Sequence, residues 1–243
     1  MAASKNRLDV ELTARGLARS RSQAESYIKL GEVKVDGQVV TKPGYPVGPQ
    51  AKVELTAVEQ YVSRAALKLA SVAQQFNLDF RGKVVLDVGS STGGFTEYAL
   101  RHGAERVIAV EVGRDQLHPS LRDNPHIELH EQTDIRDVRE LSSPPDIVVA
   151  DVSFISLREI LPHVAGLCRP QTQLVVMVKP QFEAQQSQQK HKGVIKNDAM
   201  RRGILKDFEV WAREHGFVVR DKADSAVSGA KGNRERFYLL MIH

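Results

Sequence analysis

The chain has 243 residues, 42% hydrophobic and 26% charged, with a formal net charge of +4 at pH 7. This is the composition of an ordinary soluble globular protein with one large domain or two unequal ones. The longest apolar runs, such as residues 174–178, are far too short to cross a bilayer, the first ten residues hold no apolar signal core, and the single cysteine, Cys168, forbids an internal disulfide, so a cytoplasmic protein is expected.

The first sixty residues read as a small αβ unit. "RLDVELTARGL" and "SRSQAESYIKLGE" carry apolar residues at helical spacing, with Ser20 an expected N-cap of the second helix and Gly31 its expected C-terminal stop. "VKVDGQVVTKPGYPV" contains two short strands joined by the hairpin signal Asp36-Gly37, and "AKVEL" adds a further strand. Lys5, Arg7, Arg15, Arg19, Arg21, Lys29, Lys34 and Lys42 face five acids in residues 1–44. That modest excess permits a polyanionic partner without demanding one. "TAVEQYV" reads as a connector, which sets expected boundaries at 1–58 for the front unit, 59–63 for a linker and 64–243 for the remainder.

Beyond the connector the pattern changes. "SRAALKLASVAQQF" is an amphipathic helix. Strands and helices then alternate: "KVVLDVG", helix 94–102, "RVIAVEV", helix 115–122, "HIELHE", "DIVVADV", helix 155–168, "QLVVMVK", helix 197–215, "FVVRDKADS" and "ERFYLLMIH". Such alternation predicts a mostly parallel sheet covered on both faces, ending in an antiparallel hairpin at one edge. "EAQQSQQKHKG" is Gln-rich and polar, as expected of a surface loop. Cys168 is expected to be a small buried hydrophobe rather than a nucleophile, and the eight histidines show no metal-ligand spacing.

"VVLDVGSSTGGFTEYAL" places Gly89, Gly93 and Gly94 between a strand and a helix, where backbone amides can approach a ligand and the helix N-terminus favours negative charge. The spacing is D-x-G-x-x-x-G-G, not the G-x-G-x-x-G of dinucleotide sites. Asp87 inside the turn would repel a pyrophosphate. It suits the zwitterionic tail and cationic centre of S-adenosylmethionine, with Ser90, Ser91 and Thr92 in the turn, Glu111 ending the next strand to grip ribose hydroxyls, and Asp134 bordering the adenine.

Four further polar residues stand in odd places. Asp151 and Lys179 end apolar strands, Lys68 lies among alanines and leucines, and Glu235 begins the last strand. Ligands of open α/β sheets bind at the carboxyl ends of the parallel strands, which aims Asp151 and Lys179 at the crevice served by the glycine turn. Each has a plain structural alternative: Asp151 as an N-cap of the helix after it, Lys68 snorkelling from its own helix, Glu235 paired with Arg234 or Arg236.

The stretches "YVSRAALKL", "LDVGSSTGGFTE", "ADVSFISL", "VKPQFEA", "KGVI" and "NRERFYLLMI" resemble the hemolysin A (TlyA) family of ribosomal RNA 2′-O-ribose methyltransferases, whose catalytic domain is of the FtsJ type. "SRSQAESYIKLGEVKVDGQVVTKPG" resembles the S4-like RNA-binding module. Ser90 and Glu111 depart from the alanine and aspartate usual in the family. The resemblance implies a Rossmann-like class I methyltransferase domain on a seven-stranded sheet, preceded by a small RNA-binding module. It implies S-adenosylmethionine as cofactor and ribosomal RNA or ribosomal subunits as partner. It also implies a catalytic tetrad of Lys68, Asp151, Lys179 and Glu235 acting on the 2′-hydroxyl of a cytidine. In that scheme Lys179 is the base or steers the hydroxyl, Lys68 holds the ribose, and the two acids orient the ammonium groups. A 2′-hydroxyl is a poor nucleophile that must attack in line, so positioning dominates, and a lysine acts as base only where its surroundings favour loss of its proton. Arg7, Arg15, Arg19, Arg21 and Lys42 are the expected phosphate contacts. Competing readings are a non-catalytic RNA-binding protein, a membrane-active hemolysin and a nicotinamide-dependent oxidoreductase.

Overall fold

The computed structural model describes residues 5–18, 20–56, 61–184, 193–227, 229 and 232–243. The front unit opens with β1 (Asn6–Arg7), α1 (Leu8–Ala14) and α2 (Arg21–Lys29). Ser20 caps α2 by accepting from Gln23 N at 3.2 Å. Gly31, at φ +76°, stops the helix as the amides of Gly31 and Glu32 turn back to Ile28 O and Tyr27 O. β2 (Val33–Val35) and β3 (Gln38–Val39) form the expected hairpin, with Asp36 and Gly37 both at positive φ as a type I′ turn requires. β5 (Val53–Leu55) pairs with the other edge of β2. A two-residue pairing of β1 with β4 (Pro46–Val47), which the sequence did not signal, closes the loop onto the start of α1.

The second unit contains α3 (Arg64–Ala73), β6 (Val84–Val88), α4 (Gly94–Arg101), β7 (Arg106–Val110), α5 (Pro119–Arg122) and β8 (Ile127–His130). β9 (Ile147–Ala150), α6 (Leu157–Gly166), β10 (Gln173–Val178), α7 (Pro180–Glu183), α8 (Asp198–Glu214), β11 (Phe217–Asp224) and β12 (Arg236–Ile242) follow. The sheet runs β11-β12-β10-β9-β6-β7-β8, parallel except for β12, which is antiparallel to both neighbours. The chain order reverses between β6 and β9, the switch point at which open α/β sheets bind ligands. Apolar side chains cover both faces, which is why these strands read as unbroken hydrophobic runs. One of the two apolar clusters continues from Leu8, Leu12 and Tyr27 of the front unit through Tyr61 and Leu67 to the underside of the sheet.

The helix expected over 115–122 is reduced to the single turn α5. The Glu131 carboxylate takes the amides of Asp115, Gln116 and Leu117 at 2.8, 2.7 and 3.0 Å, and Asp115 has φ +53°. His118 N donates to Thr92 O at 3.2 Å and Pro119 has no amide to give, so a ladder begun at the left-handed Asp115 lacks its first bonds. α7 was also unannounced: Pro180 at its first position stops β10 and starts one helical turn, which turns the chain immediately after Lys179.

Candidate active site

The glycine turn between β6 and α4 carries Gly89 at φ +80°, Ser91 at +47° and Gly93 at +89°. A Cβ on Gly89 would lie 3.2 Å from Val152 Cγ1 and 3.3 Å from Asp151 O, so glycine lets the turn after β6 press against the end of β9. A Cβ on Gly93 would come within 2.6 Å of Leu117 and Leu121. One on Gly94 would strike the Ser63 hydroxyl and the Ala66 amide at the start of α3.

Beside this turn lies a cleft of about 560 Å³ bordered by Gly89, Glu111, Val112, Asp134, Asp151 and Phe154. A smaller cavity of about 160 Å³ continues inward between Asp87, Ser90, Thr92, Asp151 and Lys179. Glu111, just past β7, accepts the amides of Ser91 and Gly113 at 2.9 and 2.7 Å, which ties the second strand end to the glycine turn. Asp134 is held by Arg136 through two bonds of 3.0 and 2.7 Å, and this arginine keeps its carboxyl below the usual range.

Asp87 is buried, with Oδ2 accepting from Thr96 Oγ1 at 2.7 Å. Among the described residues its Oδ1 has no hydrogen-bond partner, nor has the Ser90 hydroxyl. Burial, partly offset by the Thr96 bond and reinforced by the nearby Asp151, pushes the Asp87 carboxyl up to about 7. A carboxylate half-satisfied at a cavity wall is an acceptor that a cationic group completes. The polar inner cavity, the larger cleft beyond it and the glycines that keep both open fit S-adenosylmethionine. Asp87, Ser90, Ser91, Thr92, Gly89, Gly93 and Gly94 would hold its methionine end, Glu111 its ribose, and Asp134 would border its base.

At the same strand ends four distant side chains come together. Lys179 Nζ lies 2.6 Å from Asp151 Oδ1, Lys68 Nζ lies 2.7 Å from Glu235 Oε2, and Asp151 Oδ2 stands 3.8 Å from Lys68 Nζ. Asp151 is thus shared between the two ammonium groups. Lys68 and Lys179 are each 8% exposed and Glu235 3%. At that depth a charge needs a partner, and each ammonium has one. The plain structural alternatives do not describe these residues. Ser156, not Asp151, caps α6, accepting from Arg158 N. Arg234 pairs with Asp198 and Arg236 with Asp224, leaving Glu235 to Lys68.

Three residues near the tetrad carried no signal of their own in the sequence. Ser153 Oγ accepts from Lys179 Nζ at 2.7 Å. Glu183 on α7 accepts from Ser156 Oγ and Leu157 N, both at 2.7 Å, and burial pushes its carboxyl up; it ties the turn after Lys179 to the start of α6. Phe154 is 91% exposed at φ +67° and stands 5.3 Å from the Phe182 ring at the cleft mouth. Left-handed backbone is unusual for a bulky residue. All three lie inside stretches that resemble the family, so only that likeness could have marked them.

In the front unit Arg7 and Arg21 converge on Asp9, whereas Arg15 bonds Glu11 Oε2 at 2.9 Å and Ala51 O at 2.8 Å. Lys42 is exposed, and Arg19 lies outside the described residues. Cys168 is half-buried, and burial pushes its thiol up to about 12, far from a nucleophile's range. Among the described residues no cluster of His, Cys, Asp and Glu could hold a metal ion, and no helix is long and apolar enough to cross a membrane.

A two-part cavity at the switch point of a doubly wound sheet, with an acid awaiting a cation at its inner end, is how a Rossmann-like, S-adenosylmethionine-dependent methyltransferase takes up its cofactor. Comparison with known proteins narrows the class. Residues 61–241 match the FtsJ-like methyltransferase family and residues 6–53 the S4 domain, and the chain belongs to the FtsJ-like methyltransferases. It is 37% identical over 238 residues to the 16S/23S rRNA (cytidine-2′-O)-methyltransferase TlyA of Mycobacterium tuberculosis, covering 96% of this chain and 89% of that protein. It is 35% identical over 232 residues to Hemolysin A of Brachyspira hyodysenteriae, covering 94% and 97%. A solved structure from Streptococcus thermophilus superposes with a TM-score of 0.71 at 33% identity, over 99% of this chain and 90% of the other.

Proposed function

We propose that this protein methylates the 2′-hydroxyl of a cytidine ribose in ribosomal RNA, with Lys68, Asp151, Lys179 and Glu235 as its catalytic residues. The observation that carries the reading is the pairing of two buried lysines with two acids, at 2.6 and 2.7 Å, beside the inner cavity. The relative from M. tuberculosis, similar over nearly the whole chain, is named for that reaction. S-adenosylmethionine supplies a methyl group activated by the positive sulfur that carries it. Asp151 and Ser153 fix Lys179 Nζ at the mouth of the inner cavity, where as an ammonium it steers the hydroxyl into line; to act as base it first releases its own proton to water and then takes the hydroxyl's. Glu235 holds Lys68 on the opposite side of Asp151, where its ammonium can hydrogen-bond the ribose. The low exposure of all four strengthens these contacts relative to water. Phe154 and Phe182 offer an apolar stacking face at the entrance, the kind of surface on which an unstacked base rests. The front unit, with Arg7, Arg15, Arg19, Arg21 and Lys42, supplies phosphate contacts.

The test is incubation of the protein with purified ribosomal subunits and methyl-labelled S-adenosylmethionine, followed by nucleoside analysis. Labelled 2′-O-methylcytidine is the expected product. Label on a base, on another nucleoside or on protein would overturn the assignment.

A further inference from the structure

Asp9, in the first turn of α1, has no surface open to water. Its two oxygens receive Arg7 Nε and Nη2, both at 2.9 Å, and Oδ2 also receives Arg21 Nε at 2.7 Å. The arginines come from different elements: Arg7 ends β1 and Arg21 opens α2. Their side chains stay 50% and 56% exposed. Burial opposes charge on Asp9, but the two guanidinium groups outweigh it and hold the carboxyl at about 2. The loop carrying Lys42 is fastened to the same point, because Asp9 N donates to Pro43 O at 3.1 Å and Tyr45 N to Lys42 O at 3.0 Å. A Cβ on Gly44 would lie 3.0 Å from Arg7 Nη1, so glycine lets the loop lie against the guanidinium without moving it.

A guanidinium held along one edge keeps its other edge for a second anion, and a fixed pair loses less freedom on binding than two swinging side chains. We propose that Asp9 is a positioning residue for RNA: it locks Arg7 and Arg21 into an outward-facing clamp, with Lys42 alongside, for neighbouring phosphates of an RNA backbone. This rests on the reading that the front unit binds RNA. The rival reading is simple neutralisation, in which Asp9, and Glu25 at 3.7 Å from Arg21, cancel positive charge that RNA would otherwise meet. The two readings differ in sign. Under neutralisation, removing the Asp9 charge tightens RNA binding; under positioning it weakens binding although the protein becomes more positive.

The experiment measures binding of the full chain to purified ribosomal RNA at two salt concentrations. Asp9→Asn is expected to weaken binding about fivefold to twentyfold and to lower the salt slope by about one phosphate contact or more. Arg7→Lys keeps the charge but not the two-pronged bond, and is expected to lose nearly as much affinity as Arg7→Ala. Unchanged cofactor binding in each variant shows that the catalytic unit is intact. Tighter or unchanged binding by Asp9→Asn, with its thermal melt intact, overturns the proposal, and so does wild-type binding by Arg7→Lys. Arg7→Lys decides the matter if Asp9→Asn does not fold. If the Arg7→Ala/Arg21→Ala double variant binds undiminished, the RNA-binding reading of this face fails first; if only the double variant loses affinity, that reading stands and the role of Asp9 falls.

Discussion

Two aspartates of this protein are almost equally hidden, Asp9 at 0% exposure and Asp87 at 1%, yet their carboxyls sit at about 2 and about 7. Burial disfavours charge on both. Asp9 is met by two guanidinium groups, and Asp87 by the hydroxyl and amide of Thr96, with its Oδ1 unpartnered among the described residues. The charge of a buried acid is therefore set by depth and by what the fold brings to it together: Asp9 lies shallow beneath two half-exposed arginines, and Asp87 lies deep at the end of a central strand. On the proposed readings, the fully paired acid of the front unit holds its neighbours for display, and the half-paired one in the crevice receives a cation.

The largest effect that could break this contrast lies at the mouth of the inner cavity. Lys179→Ala should lower methyl transfer by roughly 10²–10⁴-fold while cofactor affinity, read by calorimetry, stays nearly the same; strong residual turnover would return Lys179 to a structural role. Asp87→Asn should behave in the opposite way, weakening cofactor binding by roughly 10–100-fold, as loss of a charge-assisted bond does. In the wild type that affinity should rise with pH up to about 7 and then level, because Asp87 must give up its proton to meet a cation; the variant should show no such rise. Ser153→Ala, which removes one bond to Lys179, should cost about fivefold to tenfold in kcat with little change in cofactor affinity.

The smallest effect sharpens the contrast by its sign. Asp9 is depressed on folding, so the stability it contributes is present above the ordinary aspartate range and is lost as pH falls from about 4 to about 2. Asp87 is raised, so its effect is absent in acid and stability declines as pH climbs from about 4 to about 7. Thermal melts of Asp9→Asn and Asp87→Asn against pH should flatten those two windows separately. Melts that change together would show the two acids to be equivalent after all.

The alternation of strand and helix, the Asp36-Gly37 hairpin, the Ser20 cap and the glycine turn were all legible in the amino-acid order, since each depends on neighbours a few positions apart. The tetrad was legible only as four oddities plus a likeness to a family, because nothing local to Lys68 points to Glu235. Tertiary structure alone decided that Arg7 and Arg21 share a buried acid while Arg15 bonds Glu11 and Ala51, and that a left-handed Asp115 and a His118 amide drawn to Thr92 O would cut short the helix expected over 115–122. Local patterns encode backbone shape and which face is apolar. Which charge meets which is settled only when distant segments close on one another, because short-range contact, and not sequence spacing, sets hydrogen bonds and the charge state of a buried acid.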